Sequence, residues 1–224
     1  MINEILGVIV LIVTSHGEMD NGKPTGLWLE EFAVPYEVFT DAGYDVIVAS
    51  PQGGSAPIDP RSLPENPTES EQRAIDLLKN TLPLSELPPE KIDAVFFAGG
   101  HGTMFDFPKD VEVQQIVEKA FQEKTPIGLV CHGPAALVGA RDANGTPVAS
   151  GRNLTGFTNS EEAAVQLTEE MPFLLETKLK DQGATFTGSA NFQPHVVVDG
   201  HLVTGQNPPS SKPTAEALLE VIRN

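Results

Sequence analysis

The sequence predicts an α/β fold, an open flavodoxin-like parallel sheet with helices on both faces. Three observations carry this. The apolar runs at 5–13, 46–49, 94–98 and 127–130 are short and unalternating, as in parallel strands buried on both faces. Segments of helical period lie between and after them. Three of the runs lead into polar or glycine-rich turns, and open α/β sheets bind ligands at the carboxyl ends of their strands. His16 follows the first run, Gly99-Gly100-His101-Gly102 the third and Cys131-His132-Gly133 the fourth.

The first run has Glu4 before it and Thr14-Ser15-His16-Gly17 behind it. It is too short to span a membrane and lacks the basic flank of a signal peptide, so a cytoplasmic protein is expected. Residues 27–41 read as a helix kinked at Pro35. Leu27, Glu31, Val34 and Val38 share its apolar stripe, with Trp28, Phe32 and Phe39 beside it, and Glu30, Ala33, Glu37 and Asp41 fall on the other face. Residues 51–67 are rich in Pro, Gly and Ser and read as a long loop. Ala74, Leu77 and Leu78 mark a helix opened by a capping box from Thr68 to Glu71. Val113, Ile116, Val117, Ala120 and Phe121 form a second periodic stripe, and Ala215, Leu218, Leu219 and Ile222 a third. Shorter strands are expected at 184–186, 196–198 and 202–204, the last two as a hairpin turning at Asp199-Gly200. No internal repeat interrupts this order, and residues 1–224 are read as one domain.

Fourteen basic against 31 acidic residues give a net charge of −17. Such a surface repels phosphate backbones and anionic bilayers, so neither nucleic acid nor membrane is expected as a partner. The one cysteine, Cys131, has no intrachain partner, which fits a reducing compartment.

The residues around Cys131 have the layout of a nucleophile elbow: a buried strand ends at the cysteine, glycine follows, and a small-residue helix begins. The helix N-terminus is expected to lower the thiol pKa. His132 stands next to it as a proton shuttle, its N–H placed to donate to an oxyanion. Gly99 and Gly100 let backbone amides approach a substrate closely, and Gly133 completes the elbow. His101 reads as more structural than catalytic. Glu31 lies on an apolar helix face, where burial raises a carboxyl pKa and lets it act as acid or base. Glu161 and Glu162 both sit at capping-box spacing, from Thr158 and Asn159, and that alone gives each a structural explanation.

These motifs resemble the ThiJ/PfpI superfamily, whose fold is like that of class I glutamine amidotransferases. The likeness is closer to its chaperone and glutathione-independent glyoxalase branch. It is carried by Thr25-Gly26-Leu27-Trp28-Leu29-Glu30-Glu31 with Pro35-Tyr36, by Ala49-Ser50-Pro51-Gln52-Gly53-Gly54 with Pro57-Ile58-Asp59-Pro60, and by Gly99-Gly100-His101-Gly102. Val130-Cys131-His132-Gly133-Pro134, Leu154-Thr155-Gly156-Phe157-Thr158 and Val203-Thr204-Gly205-Gln206-Asn207-Pro208 continue it. The resemblance implies a triad of Cys131, His132 and Glu162, a buried glutamate at Glu31, oxyanion donors at Gly100 and His132, and a homodimer. Where relatives often carry a histidine before the proline matched by Pro35, this chain has Val34. That difference speaks against the metal site of some relatives, and the expectation is a site without metal or cofactor.

The resemblance further implies a small-molecule 2-oxoaldehyde substrate such as methylglyoxal, converted to a 2-hydroxy acid through a hemithioacetal on Cys131. Two alternatives stay open: a deglycase or amidase-type hydrolase at the same site, and a stress-linked holdase or oxidation sensor.

Overall fold

The computed structural model describes residues 5–88 and 92–224. Glu4, the acidic flank of the first apolar run, lies outside the described residues. The strands are β1 (Val8–Ile12), β2 (Asp45–Ser50), β3 (Leu82–Pro83), β4 (Ala94–Phe97), β5 (Ile127–Val130), β6 (Asn153–Leu154), β7 (Thr185–Phe186), β8 (Val196–Asp199) and β9 (Leu202–Gly205). Among the described residues, seven form one sheet in the order β3-β2-β1-β4-β5-β9-β8, parallel except for the antiparallel β8–β9 pair. The expected hairpin is present, with Asp199 opposite Leu202. β6 and β7 pair separately as a short parallel ladder.

Alternation along each strand splits the core in two. Val10, Ile12, Val95, Phe97, Ile127 and Leu129 pack on one face. Ile9, Leu11, Val13, Phe96, Val130 and Val203 pack on the other. That is why the runs read as continuously apolar: both faces are covered. Pairing in β1 starts at Val8, opposite Asp45, and Ile5 and Leu6 before it are exposed. β3 escapes a reading by periodicity because it is two residues long and contains Pro83.

The helices are α1 (Leu29–Asp41), α2 (Glu69–Leu77), α3 (Thr103–Asp106), α4 (Val111–Glu123), α5 (Ala135–Gly139), α6 (Asn159–Ala164), α7 (Leu175–Asp181) and α8 (Ser211–Arg223). α2 opens with the expected reciprocal Thr68–Glu71 box. α4 opens on Asp110, whose carboxylate accepts from the amides of Glu112 and Val113 at 3.0 and 2.9 Å. α1 runs through Pro35. α1 and α8 pack against each other over one face of the sheet, and α4 and α5 pack on the other.

The register sets up the site. Phe97 lies opposite Leu129, and Val130 opposite Gly205. The turns after β4, β5 and β9 therefore emerge side by side at one edge of the sheet.

Candidate active site

Cys131 follows β5 with φ +59°, the left-handed region that L-residues with a side chain rarely adopt. Its neighbours hold it there. The Cys131 amide donates to the Gly205 carbonyl at 2.9 Å, and its carbonyl accepts from Phe157 at 2.8 Å. The Gly133 amide donates to the Val130 carbonyl at 2.7 Å, closing the turn. A Cβ on Gly133 would lie 2.6 Å from the Phe97 carbonyl oxygen, so the turn demands glycine at that point. Gly133 serves the geometry of the elbow, and its amide is already used.

A chain of hydrogen bonds leads away from the sulfur. Cys131 Sγ lies 3.3 Å from His132 Nδ1, and His132 Nε2 lies 2.8 Å from Glu162 Oε2. The other oxygen, Oε1, is 2.8 Å from His101 Nε2. Arg61 Nη2 approaches His101 Nδ1 at 3.2 Å, and Arg61 Nε and Nη2 fork onto Asp59 at 2.9 and 2.6 Å. Donor capacity fixes the protons. Arginine only donates, so His101 Nδ1 accepts and Nε2 carries the hydrogen that Glu162 receives. An ionised Glu162 likewise takes a hydrogen from His132 Nε2, leaving Nδ1 as a lone pair facing the thiol.

The shifts agree with this pattern. Burial would raise the Glu162 pKa, but the electrostatic influence of His132 and the hydrogens donated by both imidazoles outweigh it and hold the carboxyl well below its ordinary range. Burial, with repulsion from His132, lowers His101 to about 4. Burial also works against Asp59, and the Arg61 fork holds it below the usual value.

Glu31 also lies near the sulfur, fully buried in the first turn of α1. Neither of its oxygens makes a hydrogen bond of ordinary geometry, although the Cys131 thiol and the Gly99 backbone lie close enough to act on its pKa. Burial pushes that pKa well above the carboxylate range, so Glu31 rests as the acid. A Cβ on Gly99 would lie 2.3 Å from Glu31 Oε2 and 2.9 Å from Cys131 Cβ. Gly99 is therefore the clearing that lets carboxyl and thiol meet.

One expectation is reversed. The thiol pKa is pushed well up, first by burial and then by Glu31, Glu161 and Glu162. The helix behind the elbow has five residues and starts only at Ala135, too short and too far along to stabilise a thiolate against that burial. The resting pair is a thiol beside a carboxylic acid.

The amides of Gly100 and His132 make no backbone hydrogen bond among the described residues. Both residues border a cavity of about 290 Å³ that Cys131 and Arg61 also line, with apolar walls from Trp28, Phe157, Val165, Phe192 and Pro208. His16 lies outside this cavity, stacked on Phe105 with ring centroids 4.8 Å apart. Glu161 closes the Thr158 capping box and bonds the Phe192 amide and Asn207 Nδ2, each at 2.8 Å. It braces the loop beneath Phe192 and makes no contact with the relay. Arg61 and Asp59 were not legible as site residues, since they lie in the loop before α2 and only the fold brings them to His101.

His101, His132 and Glu162 are also the set among the described residues whose ligand atoms lie within 4.8 Å of one another, close enough for a metal ion. Their protons oppose it. Coordination at His101 Nε2 would send its hydrogen to Nδ1, against the donors of Arg61. Val34, half-buried in α1, adds no ligand.

The DJ-1/PfpI family pattern matches residues 25–221. The chain belongs to this family. Among curated members it is similar to glyoxalase 3 of Candida albicans, 31% identical over 94% of this chain and 96% of that one. It is 30% identical to a glutathione-independent glyoxalase of Schizosaccharomyces pombe, over 96% of each chain. The crystal structure of the Candida albicans glyoxalase III superposes with a TM-score of 0.87 at 30% identity, covering 97% of this chain and 98% of that one. The Francisella tularensis Rapid Encystment Protein 24 KDa superposes with a TM-score of 0.93 at 34% identity, covering 98% of this chain and all of that one. The family fold, an α/β sheet flanked by helices, is the one the motifs implied. Among the described residues no helix is long and apolar enough to cross a membrane.

Proposed function

We propose that the chain is a glutathione-independent glyoxalase that converts a 2-oxoaldehyde to a 2-hydroxy acid on Cys131. The observation that carries this is the placement of Cys131 between two proton-handling groups of opposite kind. His132, held by an ionised Glu162, stands against the thiol with a free lone pair, and a protonated, water-excluded Glu31 lies beside the same sulfur. The names of the full-length relatives support the same reaction.

The steps balance as follows. His132 Nδ1 takes the thiol proton as sulfur bonds to the aldehyde carbon C1, and the amides of Gly100 and His132 receive the oxyanion. Glu31 protonates that oxygen, giving the hemithioacetal and leaving itself a desolvated, strong base. Glu31 then removes hydrogen from C1. Returning that proton to C2, while the C1 hydroxyl hydrogen passes to the C2 oxygen, isomerises the adduct to a thioester of the 2-hydroxy acid. Water attacks the thioester and gives its proton to Glu31, the C–S bond breaks, and sulfur recovers its proton from His132, so that both groups return to their resting forms. No metal, thiol cofactor or nucleotide enters any step.

The test is an assay of methylglyoxal conversion to lactate without glutathione, on wild type beside Cys131→Ser. We expect turnover in the first and none in the second. Equal turnover in both would end the cysteine mechanism. A size measurement in solution tests the homodimer, for which a mass of one chain would be the contrary result.

A further inference from the structure

Among the described residues, Arg61 is the one charged side chain bordering the Cys131 cavity. It is held from two directions, with Nε and Nη2 on Asp59 and Nη2 also on His101. These bonds use three of the five guanidinium hydrogens. The two on Nη1 have no partner among the described residues. Arg61 also borders an adjoining groove of about 510 Å³ that Trp28 shares with it. A guanidinium fixed in plane in the wall of a reactive cavity, with a pair of hydrogens unused among the described residues, is suited to receive an oxygen.

Charge decides which oxygen. Asp59 and Glu162 both stand ionised around the single Arg61. Glu30, Glu37 and Glu71 border the adjoining groove, and the chain as a whole carries −17. A carboxylate would enter a field of its own sign, whereas a neutral carbonyl or hydroxyl oxygen would not. The remaining walls are aromatic or aliphatic, and about 290 Å³ admits only a small molecule.

We propose that Arg61 is a specificity residue of this site: Nη1 donates to the oxygen on the carbon adjacent to the one that Cys131 faces, selecting neutral, apolar-substituted compounds with oxygens on two neighbouring carbons. This deepens the glyoxalase reading and takes the orientation of the ligand from it. The same contact would steady the negative charge that gathers on the C2 oxygen when hydrogen leaves C1. It would also let a finished carboxylate leave, since the surrounding acids disfavour it.

The test uses two neutral amides that the proposed reaction does not consume. Mandelamide has an oxygen on C2, and phenylacetamide lacks it. Binding is followed through Trp28, the single tryptophan and part of the cavity wall. Wild type should bind mandelamide more tightly by about 10–100-fold, the range for a hydrogen bond to a charged group. Arg61→Met should bring the two affinities together by weakening mandelamide alone, and Arg61→Lys should restore part of the gap. Mandelate, the anionic counterpart, should bind more weakly than mandelamide. Equal or undetectable binding of both amides by wild type would overturn the assignment, as would a preference kept in Arg61→Met or a preference for mandelate. Should Arg61→Met not fold, the ratio in Arg61→Lys decides alone, and a ratio equal to wild type counts against the proposal. A chain that makes no lactate but still separates the amides would refute the glyoxalase reading and leave this one standing.

Discussion

Glu31 and Glu162 show how placement gives two carboxyls opposite duties. Both are buried, yet Glu162 receives two imidazole hydrogens while neither oxygen of Glu31 makes a hydrogen bond of ordinary geometry. One is held ionised, and in the proposed mechanism it orients His132; the other is held protonated, and in the same mechanism it serves as acid and then base. Glu31→Gln should cut kcat/KM by roughly 10²–10⁴-fold, as loss of a general acid–base does. It should leave Tm at neutral pH unchanged or higher, because a raised pKa means that Glu31 loses folding free energy as pH climbs above its unfolded value. A fall of several degrees in Tm would contradict this. His101 acts in the opposite sense. Its pKa drops from 6.5 to about 4, so the unfolded chain takes up a proton first and stability is lost as pH falls between those values. The gap in unfolding free energy between wild type and His101→Gln should narrow by about 2 kcal/mol from pH 7 to pH 5. Urea titrations at both values measure it, and a constant gap would show that His101 is not buried neutral.

The short elements act as positioning devices. α6 has six residues and a Thr158–Glu161 box, and that box places Glu162 one residue further on, turned toward the histidines. Thr158→Ala should cost about 1 kcal/mol for the lost cap. It should also lower kcat more than this cost alone would, because α6 carries the carboxylate that orients His132. Activity equal to wild type at full folding would separate the cap from the relay. The turn after β4 is as demanding. Gly99→Ala would drive a methyl into Glu31 Oε2 at 2.3 Å and the Val130 carbonyl oxygen at 2.6 Å. We expect about 1–3 kcal/mol of destabilisation, as for other overpacked sites, with activity close to that of Cys131→Ser.

For the whole molecule, the two-sided core carries the site and the surface works against the fold. Parallel strands place the turns after β4, β5 and β9 along one edge, and α8 packs beneath β5 and β9 with Leu218 fully buried. Truncation by Leu218→Ala should cost about 2–5 kcal/mol. At −17 the surface repels itself. Tm should therefore rise as sodium chloride goes from about 10 mM, where the screening length is near 30 Å, to about 0.3 M, where it is well under 10 Å. A fall in Tm over that range would show that surface ion pairs outweigh the repulsion.

Local pattern by itself determined much of this protein. Runs without alternation specify strands covered on both faces. Thr68 with Glu71 and Thr158 with Glu161 specify where helices begin, since a cap needs only residues three apart. A lone cysteine between a buried strand and glycine specifies the elbow, and Glu31 on the stripe of Leu27 and Val34 specifies a buried acid. What tertiary structure decided is everything that depends on distant segments meeting. It chose Glu162 over Glu161 for the histidines, brought Arg61, forked onto Asp59, against His101 across 40 residues, and tied up the Gly133 amide inside the elbow while leaving that of Gly100 without a backbone partner among the described residues. It also raised the thiol pKa, because burial and three surrounding carboxyls come from the packed site, whereas sequence shows only the short helix that follows.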